Sequence, residues 1–106
     1  MLTFEELRTA NLNRVREYRH GEIDAWSPEM WFTAMMGEAG EFANFYKKYI
    51  RGDYSFEEVL PNLQKELADI QIYLDLLAAR LNINLAEATR NKWNESSQRI
   101  GSNLKL

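Results

Sequence analysis

The sequence predicts an all-α fold, a bundle of four helices that assembles into an oligomer. Two long stretches carry apolar residues at intervals of three and four, which is the spacing of a helix with one buried face. No stretch alternates apolar and polar residues as a half-buried strand does. Helix-start signals precede four segments, so we expect four helices joined by short or moderate loops.

The first helix starts at a capping-box pattern formed by Thr3 and Glu6. It is expected to continue to about residue 19, where the pair His20-Gly21 breaks it, and His20 is given no functional role. Asn11 and Arg14 fall close to the apolar side of this helix. They either reach a ligand or lie at the edge of the packing, and both interpretations stay open.

The second helix starts at Ser27-Pro28-Glu29, because Ser caps a helix, Pro suits its first position and Glu favours the positive end of its dipole. It is expected to run from residue 28 to 49 or 50, where Arg51-Gly52-Asp53 stops it. One face carries a stripe that is apolar apart from a single acid: Trp31, Met35, Glu38, Phe42, Phe45 and Tyr49.

The third helix is apolar over most of its circumference. Ser55 and Glu58 form a second capping box, but Pro61 comes too late to fit comfortably in the same helix. We therefore expect a short helical turn at 56–60 and a main helix from near Pro61 to about Arg80. Its main stripe is Leu63, Leu67, Ile70, Leu74, Leu77 and Leu81, and further apolar positions lie elsewhere on it: Ile72, Leu76, Ala79 and Ile83.

Such a helix cannot be covered by three amphipathic neighbours in one small monomer. We therefore expect a homo-oligomer, either a homodimer or a homotetramer, whose interface includes the third helix. Asn82-Ile83-Asn84 ends this helix, and Asn84 with Glu87 caps a fourth helix at about 85–98. Gly101 and the tail after it are expected to be frayed.

Length and composition bound the class of protein. With 106 residues, the chain is expected to be one domain, residues 1–106. Its 13 Lys and Arg against 16 Asp and Glu give a formal charge of -3, which is too mild for a protein that coats nucleic acid or binds a membrane surface. Cysteine is absent, which excludes disulfides and thiolate metal sites. The chain shows no signal-peptide pattern and no apolar run near the roughly 20 residues of a membrane span, so a cytoplasmic protein is expected.

Two pairs of acids stand on the second and third helices: Glu38 with Glu41, and Glu66 with Asp69. Residues three apart share a helix face, so each pair directs two carboxylates to one side, on or beside an apolar stripe. Ionised carboxylates in such places cost free energy unless they are compensated, and no comparable set of Lys or Arg shares these faces. We expect a divalent cation to compensate them, and all-oxygen ligands suit Mg²⁺ or Mn²⁺ better than Zn²⁺.

The pattern Glu38-x-x-Glu41, an interval of 24 residues (42 to 65) and Glu66-x-x-Asp69 resembles the MazG-like all-α nucleoside triphosphate pyrophosphohydrolases, which include dimeric dUTPases and dCTP pyrophosphatases. A single E-x-x-E motif carries little information, because helices are rich in Glu, but two such motifs at this spacing are fairly specific. The resemblance covers about residues 31–101 and extends to the segment Leu-Asn-Ile-Asn-Leu and to Lys92, Asn94 and Arg99.

The resemblance implies Mg²⁺-dependent hydrolysis of a nucleoside or deoxynucleoside triphosphate to the monophosphate and pyrophosphate, by attack of water on the α-phosphorus, in nucleotide-pool housecleaning. The implied metal ligands are Glu38, Glu41, Glu66 and Asp69, with Mn²⁺ as a substitute ion. This chemistry needs cations that neutralise phosphate charge and rigid helices that hold them. Glu41 is our candidate for the base that takes a proton from water, and Glu38 is the second catalytic candidate.

The candidate phosphate ligands are cations on the second and fourth helices: Lys47, Lys48, Lys92 and Arg99. Lys48 follows Glu41 by two helical turns on the same side, so its side chain can lean toward a triphosphate. Lys92 and Arg99 stand on the fourth helix, where the resemblance implies a Lys and an Arg near the phosphates. For each of these residues the alternative is a solvated surface charge.

Base and sugar contacts are expected from aromatic and amide side chains. Trp26, in a loop, is the better candidate for stacking on a nucleobase, whereas Trp31 belongs to an apolar stripe and favours core packing. Tyr73 lies one turn after the second acidic motif, where it hydrogen-bonds a metal ligand or a phosphate, or packs in the core. Trp93 and Asn94 are further candidates, with a simple surface role as the alternative for Asn94.

Two other classes of protein share some of these features. Di-iron carboxylate bundles need Glu-x-x-His on two helices, and the single His of this chain is remote from both acidic motifs, which argues against that class. The second alternative is a non-catalytic helical module that binds nucleotides or another protein. All four acids are present, so catalysis is favoured.

Overall fold

The computed structural model describes residues 1–18 and 21–106, and these form four α-helices and one short 3₁₀ helix. The elements are α1 (Phe4–Tyr18), the 3₁₀ helix (Ile23–Ala25), α2 (Pro28–Ile50), α3 (Phe56–Arg80) and α4 (Leu85–Arg99). No strand occurs within the described residues, so the predicted all-α class is confirmed. The predicted break at His20 and the predicted end of the first helix at residue 19 lie outside the described residues.

The helix starts follow the capping signals of the sequence. Thr3, Ser27, Ser55 and Asn84 each accept a hydrogen bond, through a side-chain oxygen, from the backbone N–H three residues further on, at 3.0–3.3 Å. At Ser55 the reciprocal bond is also present, because Glu58 accepts from the backbone N–H of Ser55 at 3.0 Å. Local sequence therefore fixes where these helices begin.

The predicted break at Pro61 is wrong, because α3 is one continuous helix from Phe56 to Arg80. The capping box at Ser55 starts the helix, and Val59 and Leu63, on either side of Pro61, are both buried. Pro61 itself is exposed, and it removes one hydrogen bond near the start of a long helix. Burial of its neighbours offsets that loss, so the chain does not restart at the proline.

Three helices end with a residue of positive φ. These residues are Gly52 (φ 85°), Asn82 (φ 58°) and Gly101 (φ 78°). In each case the next residue donates its N–H back to a carbonyl in the last turn of the helix, at 2.8–2.9 Å. The tail after α4, which was expected to be frayed, contacts that helix: Leu106 donates its N–H to Asn94 Oδ1 at 2.8 Å.

The helices α2 and α3 form a long antiparallel pair, which is the largest contact in the molecule. Near the turn that joins them, Tyr49 packs on Phe56 with ring centroids 5.6 Å apart. At the opposite end, the ring centroids of Trp31 and Tyr73 are 6.2 Å apart. The middle of this pair is where the two acidic motifs meet.

A small core lies where α1 meets this pair. It consists of Val15, Trp31 and Leu76, with the 3₁₀ segment packed against it. Two residues of the apolar stripe predicted for the third helix are not covered within the subunit, because Leu67 is 55% exposed and Leu81, just after α3, is 48% exposed.

The buried Asp75 of α3 joins α1 to α3. Its side chain is only 1% exposed. Arg8 Nε lies 3.0 Å from Asp75 Oδ1, and Asn11 Nδ2 donates to Asp75 Oδ2 at 2.9 Å. Arg8 also donates to the carbonyl oxygen of Ile83, in the turn before α4, at 3.0 Å. One network thus holds α1, α3 and the start of α4 together, and Asn11 has a packing role.

The arrangement is open for a chain of this length. The helix α4 packs mainly against α1. The Cα radius of gyration is 16.7 Å, against about 13 Å for a compact domain of 100 residues. Large apolar side chains on α2 and α3 remain exposed: Met30, Phe32, Met36, Tyr46, Ile50 and Leu67. Within the described residues, no helix combines the length and apolar character needed to cross a bilayer.

We expect the substitution Arg8→Met to lower the free energy of unfolding by about 3 kcal/mol. Removing the arginine leaves the buried carboxylate of Asp75 without its cationic partner. The control is Arg16→Met. Arg16 is on the same helix as Arg8, but its ion pair with Glu22, at 3.0 Å, is exposed. Its loss should stay below about 1 kcal/mol. Urea denaturation followed by circular dichroism measures both, and equal losses would contradict the role given to Asp75.

Candidate functional site

Three carboxylates meet between the middle of α2 and the middle of α3. One oxygen each from Glu38, Glu66 and Asp69 lies within 4.8 Å of the other two. Glu66 is buried, and Glu38 and Asp69 are half-buried. Glu38 stands on the stripe of α2 that packs on α3, and Glu66 and Asp69 are one helical turn apart on the facing side of α3. Packing of the two helices therefore brings the acids together.

Two oxygens of this cluster lack the partners that buried polar atoms normally have. Glu38 Oε2 and Glu66 Oε2 are both buried and accept no hydrogen bond from any described residue. None of the three acids forms an ion pair with a described Lys or Arg. An unsatisfied buried polar group of this kind costs free energy, and a charged one costs more.

The proximity of the acids changes the protonation of Glu38. Its pKa is raised from 4.5 to about 7, first because its protonated form can share a hydrogen bond with Glu66 and then because of burial and the negative charges of Glu41 and Asp69. The hydrogen bond between two carboxyl groups requires a proton on one of them. Without a cation, the cluster therefore holds a proton at pH values where an isolated Glu is ionised.

The fourth predicted ligand, Glu41, lies beside this cluster. Its carboxyl group contributes to the raised pKa of Glu38 through charge and a hydrogen bond. It is exposed, however, and it is not among the three residues whose oxygens lie within 4.8 Å of one another. The structure thus brings three of the four predicted acids into one group and puts the fourth next to it.

The three clustered acids fit a divalent cation. Every donor is a carboxylate oxygen, the oxygens are close enough to share one ion, and two buried oxygens have no other partner. Oxygen-only ligands of this kind are those that Mg²⁺ and Mn²⁺ prefer. Glu38, Glu66 and Asp69 can therefore hold such an ion.

A cavity of about 320 Å³ lies beside this cluster, between α1 and α3. Asp69 forms part of its wall and connects it to the acids. The remaining wall combines apolar core residues with Arg14 and two tyrosines, and the full set is Arg14, Val15, Tyr18, Trp31, Asp69, Ile72, Tyr73 and Leu76. The cavity is mostly apolar and has a few polar groups, as small-molecule sites commonly do.

The substrate residues predicted on α2 and α3, and in the loop before α2, have different surroundings. Tyr73 lines the cavity, as a substrate contact requires. Trp26 packs on Trp31, with ring centroids 4.5 Å apart, at the edge of the core and outside the cavity wall. Lys48 is half-buried and lies over the ring of Phe45, with Nζ 5.7 Å from the ring centroid.

The residues predicted on α4 have partners of their own. Lys92 Nζ lies 3.5 Å from Glu95 Oε1. Asn94 is bonded to the backbone of Leu106 through both its amide oxygen and its amide nitrogen. Arg99 is exposed in the last turn of α4. None of these three residues lines the cavity beside the acids.

Two residues of this region were given no site role by the sequence. Asp75 is buried and paired, and the signal for it was an acid within an otherwise apolar run between Leu74 and Leu77. Arg14, for which two interpretations stayed open, lines the cavity. The sequence could place it near the apolar side of α1, but only the packing of α1 on α3 puts it beside Asp69.

Fold and site together define an all-α protein with a cluster of three carboxylates, which could hold a divalent cation, and a neighbouring cavity. Among curated proteins, the chain is 33% identical over 81 residues to dCTP pyrophosphatase 1 of Rattus norvegicus and 32% identical over 81 residues to that of Homo sapiens. These matches include 73% of this chain and 48% of each relative, so the chain spans about half the length of these two proteins.

The chain is also 36% identical over 82 residues to the Gene 37 protein of Mycobacterium phage L5, a match that includes 74% of this chain and 72% of the phage protein. The chain belongs to the same family as that phage protein. No protein-family model matches the chain. The motif-based resemblance includes dCTP pyrophosphatases, and the similarity to two of them agrees with it.

In metal-free protein we expect Glu38→Gln to raise the melting temperature at pH 8 and to change it little at pH 5. The pKa of Glu38 is raised, so its proton stabilises the fold below about pH 4.5, and this contribution is lost as the pH rises through about 7. At pH 8 the variant removes a charge that its neighbours repel. The expected gain is at least about 4 °C, which corresponds to roughly 1 kcal/mol in a domain of this size.

Thermal unfolding in EDTA measures this difference between variant and wild type at each pH. The exposed Glu17, on α1, provides the matched control Glu17→Gln, which should behave as wild type at both pH values. A destabilised Glu38→Gln protein at pH 8 would show that the acids do not repel one another.

Proposed function

We propose that the protein is a Mg²⁺-dependent nucleoside triphosphate pyrophosphohydrolase, which converts a nucleoside or deoxynucleoside triphosphate and water to the monophosphate and pyrophosphate. The observation that carries the proposal is the group of three carboxylates between α2 and α3 with two buried, unpartnered oxygens. Similarity to dCTP pyrophosphatase 1 supports the same reaction. Mn²⁺ is expected to replace Mg²⁺.

In this proposal Glu38, Glu66 and Asp69 hold the metal, with Glu41 completing the set from the edge. A bound divalent cation supplies positive charge to the phosphate oxygens at the point where negative charge develops. Glu41 is the candidate base. It is exposed and stands outside the closest group of oxygens, so its carboxylate is available to take the proton of the attacking water.

The nucleoside is expected to enter the cavity beside Asp69. This cavity adjoins the proposed metal ligands, has apolar walls that suit a base, and includes the hydroxyl of Tyr73. Lys48, Lys92, Asn94 and Arg99 stay candidates for contacts to the phosphates or the sugar, and Trp26 stays the candidate for stacking. The names of the mammalian relatives make dCTP the first substrate to test, in a role that removes unwanted nucleotides from the pool.

We further propose that the protein works as a homo-oligomer, a dimer or a tetramer. The argument is the open arrangement of the subunit together with the exposed apolar side chains of α2 and α3, which a second copy would cover. Sedimentation equilibrium is expected to give a mass at least twice the 12.5 kDa of one chain. A stable species of 12.5 kDa at micromolar concentration would contradict this proposal.

Release of pyrophosphate from a panel of ribo- and deoxynucleoside triphosphates tests the reaction. We expect Mg²⁺-dependent and Mn²⁺-dependent release with the nucleoside monophosphate as the second product, and none in EDTA. We expect Glu38→Gln to lower kcat by at least about 100-fold, because it removes a charged group that holds the metal. Inactivation that accompanies an unchanged or higher melting temperature would identify a site residue and exclude loss of the fold.

The matched control is again Glu17→Gln, which should keep the activity of wild type. Release of inorganic phosphate in place of pyrophosphate would assign a different reaction. A folded oligomer that binds Mg²⁺ and nucleotide without turnover would instead favour the non-catalytic nucleotide-binding module.

A further inference from the structure

Among the described residues that line the cavity beside Asp69, one is a cation, Arg14 of α1. The other two described arginines of this helix are paired with acids: Arg8 with Asp75 at 3.0 Å and Arg16 with Glu22 at 3.0 Å. Arg14 forms no ion pair with any described residue, although it shares the cavity wall with Asp69. Arg14 is an exposed residue and no hydrogen bond from its side chain to a described residue is found, so its donors can reach a ligand.

The rest of the wall limits what Arg14 would meet. Val15, Trp31 and Leu76 belong to the buried core and give the cavity an apolar floor. Such a floor suits a flat base and disfavours a phosphate, which would lose its hydration there. In the proposed function the phosphates lie with the three acids, which would hold the cation. Arg14 is therefore placed to contact the base.

We propose that Arg14 determines base specificity by binding a nucleobase that presents two adjacent hydrogen-bond acceptors. This inference rests on the proposed function, because it places the nucleoside of the substrate in the cavity. A guanidinium offers two parallel N–H donors in a fixed plane, so it binds best to two acceptors side by side.

This geometry separates the bases into two groups. Cytosine presents O2 next to N3, and guanine presents O6 next to N7. In adenine the acceptors N1 and N7 each lie beside the 6-amino group, which is a donor. In thymine and uracil the N3–H donor separates the two carbonyl oxygens. The names of the mammalian relatives make cytosine the first of these two bases to test.

Calorimetric titration with dCMP, dGMP, dAMP and dTMP in the presence of Mg²⁺ tests the contact without requiring turnover. We expect wild type to bind dCMP at least about tenfold more tightly than dAMP or dTMP, which is the contribution expected of a hydrogen-bonded charged group. In Arg14→Met this preference should fall to within about twofold through weaker binding of dCMP. Arg14→Lys, which keeps the charge but loses the planar pair of donors, should recover less than half of the lost preference on a logarithmic scale.

The matched control is Arg90→Met on α4, because Arg90 is also exposed and forms no ion pair with a described residue. It should bind all four nucleotides as wild type does. Equal weakening of all four by Arg14→Met would assign Arg14 to the phosphate or sugar and overturn the inference. An unchanged preference in that variant would overturn it as well, and tight dGMP binding with weak dCMP binding would support the contact and assign guanine as the base.

The same proteins assayed for pyrophosphate release separate the two proposals. A wild type that prefers dCMP through Arg14 but hydrolyses no triphosphate would leave the binding inference standing and exclude the enzymatic one. A wild type that hydrolyses triphosphates with the same base preference as Arg14→Met would leave the enzyme standing and exclude the role of Arg14.

Discussion

The close approach of the carboxyl groups of Glu38, Glu66 and Asp69 is the constraint that the packing of α2 on α3 imposes on the rest of the structure. The two helices pack along their length, and this packing forces the three acids to within 4.8 Å of one another. No described Lys or Arg forms an ion pair with them, and the pKa of Glu38 is raised by its hydrogen bond with Glu66, by burial and by the neighbouring acids. Holding buried, unpaired carboxyl groups together costs free energy, and the burial of other residues must offset that cost. Proteins retain such an arrangement mainly at functional sites.

The contrast with Asp75 makes this interpretation specific. Asp75 lies on the same helix as Glu66 and is more deeply buried, yet Arg8 and Asn11 satisfy both of its oxygens. The fold thus neutralises an acid that holds helices together and leaves unneutralised the acids that face one another. The same network holds α1 against α3, and the cavity that adjoins Asp69 lies between these two helices. The Arg8–Asp75 ion pair therefore stabilises the contact between the two helices that form most of the cavity wall.

Some of the sequence predictions failed where packing overrides a local rule. Pro61 is a helix breaker by its own chemistry, but the burial of Val59 and Leu63 keeps α3 continuous through it. Leu67 fits an apolar stripe by spacing and is exposed in the subunit, which agrees with the expectation that one subunit cannot cover α3. Asn11 and Arg14 are both polar residues near one side of α1. The structure distinguishes them, because Asn11 bonds to the buried Asp75 whereas Arg14 lines the cavity.

The sequence alone determined the helical class, the helix starts at Ser27, Ser55 and Asn84, and the pairing of two acidic motifs. These features depend on intervals of three or four residues and on side chains that bond to nearby backbone, so they are local. The tertiary structure decided which acids share one centre, that Asp75 is neutralised, and which residues line the cavity. Those outcomes depend on how far each helix is rotated about its axis and where it crosses its neighbours, which residues distant in the chain determine together.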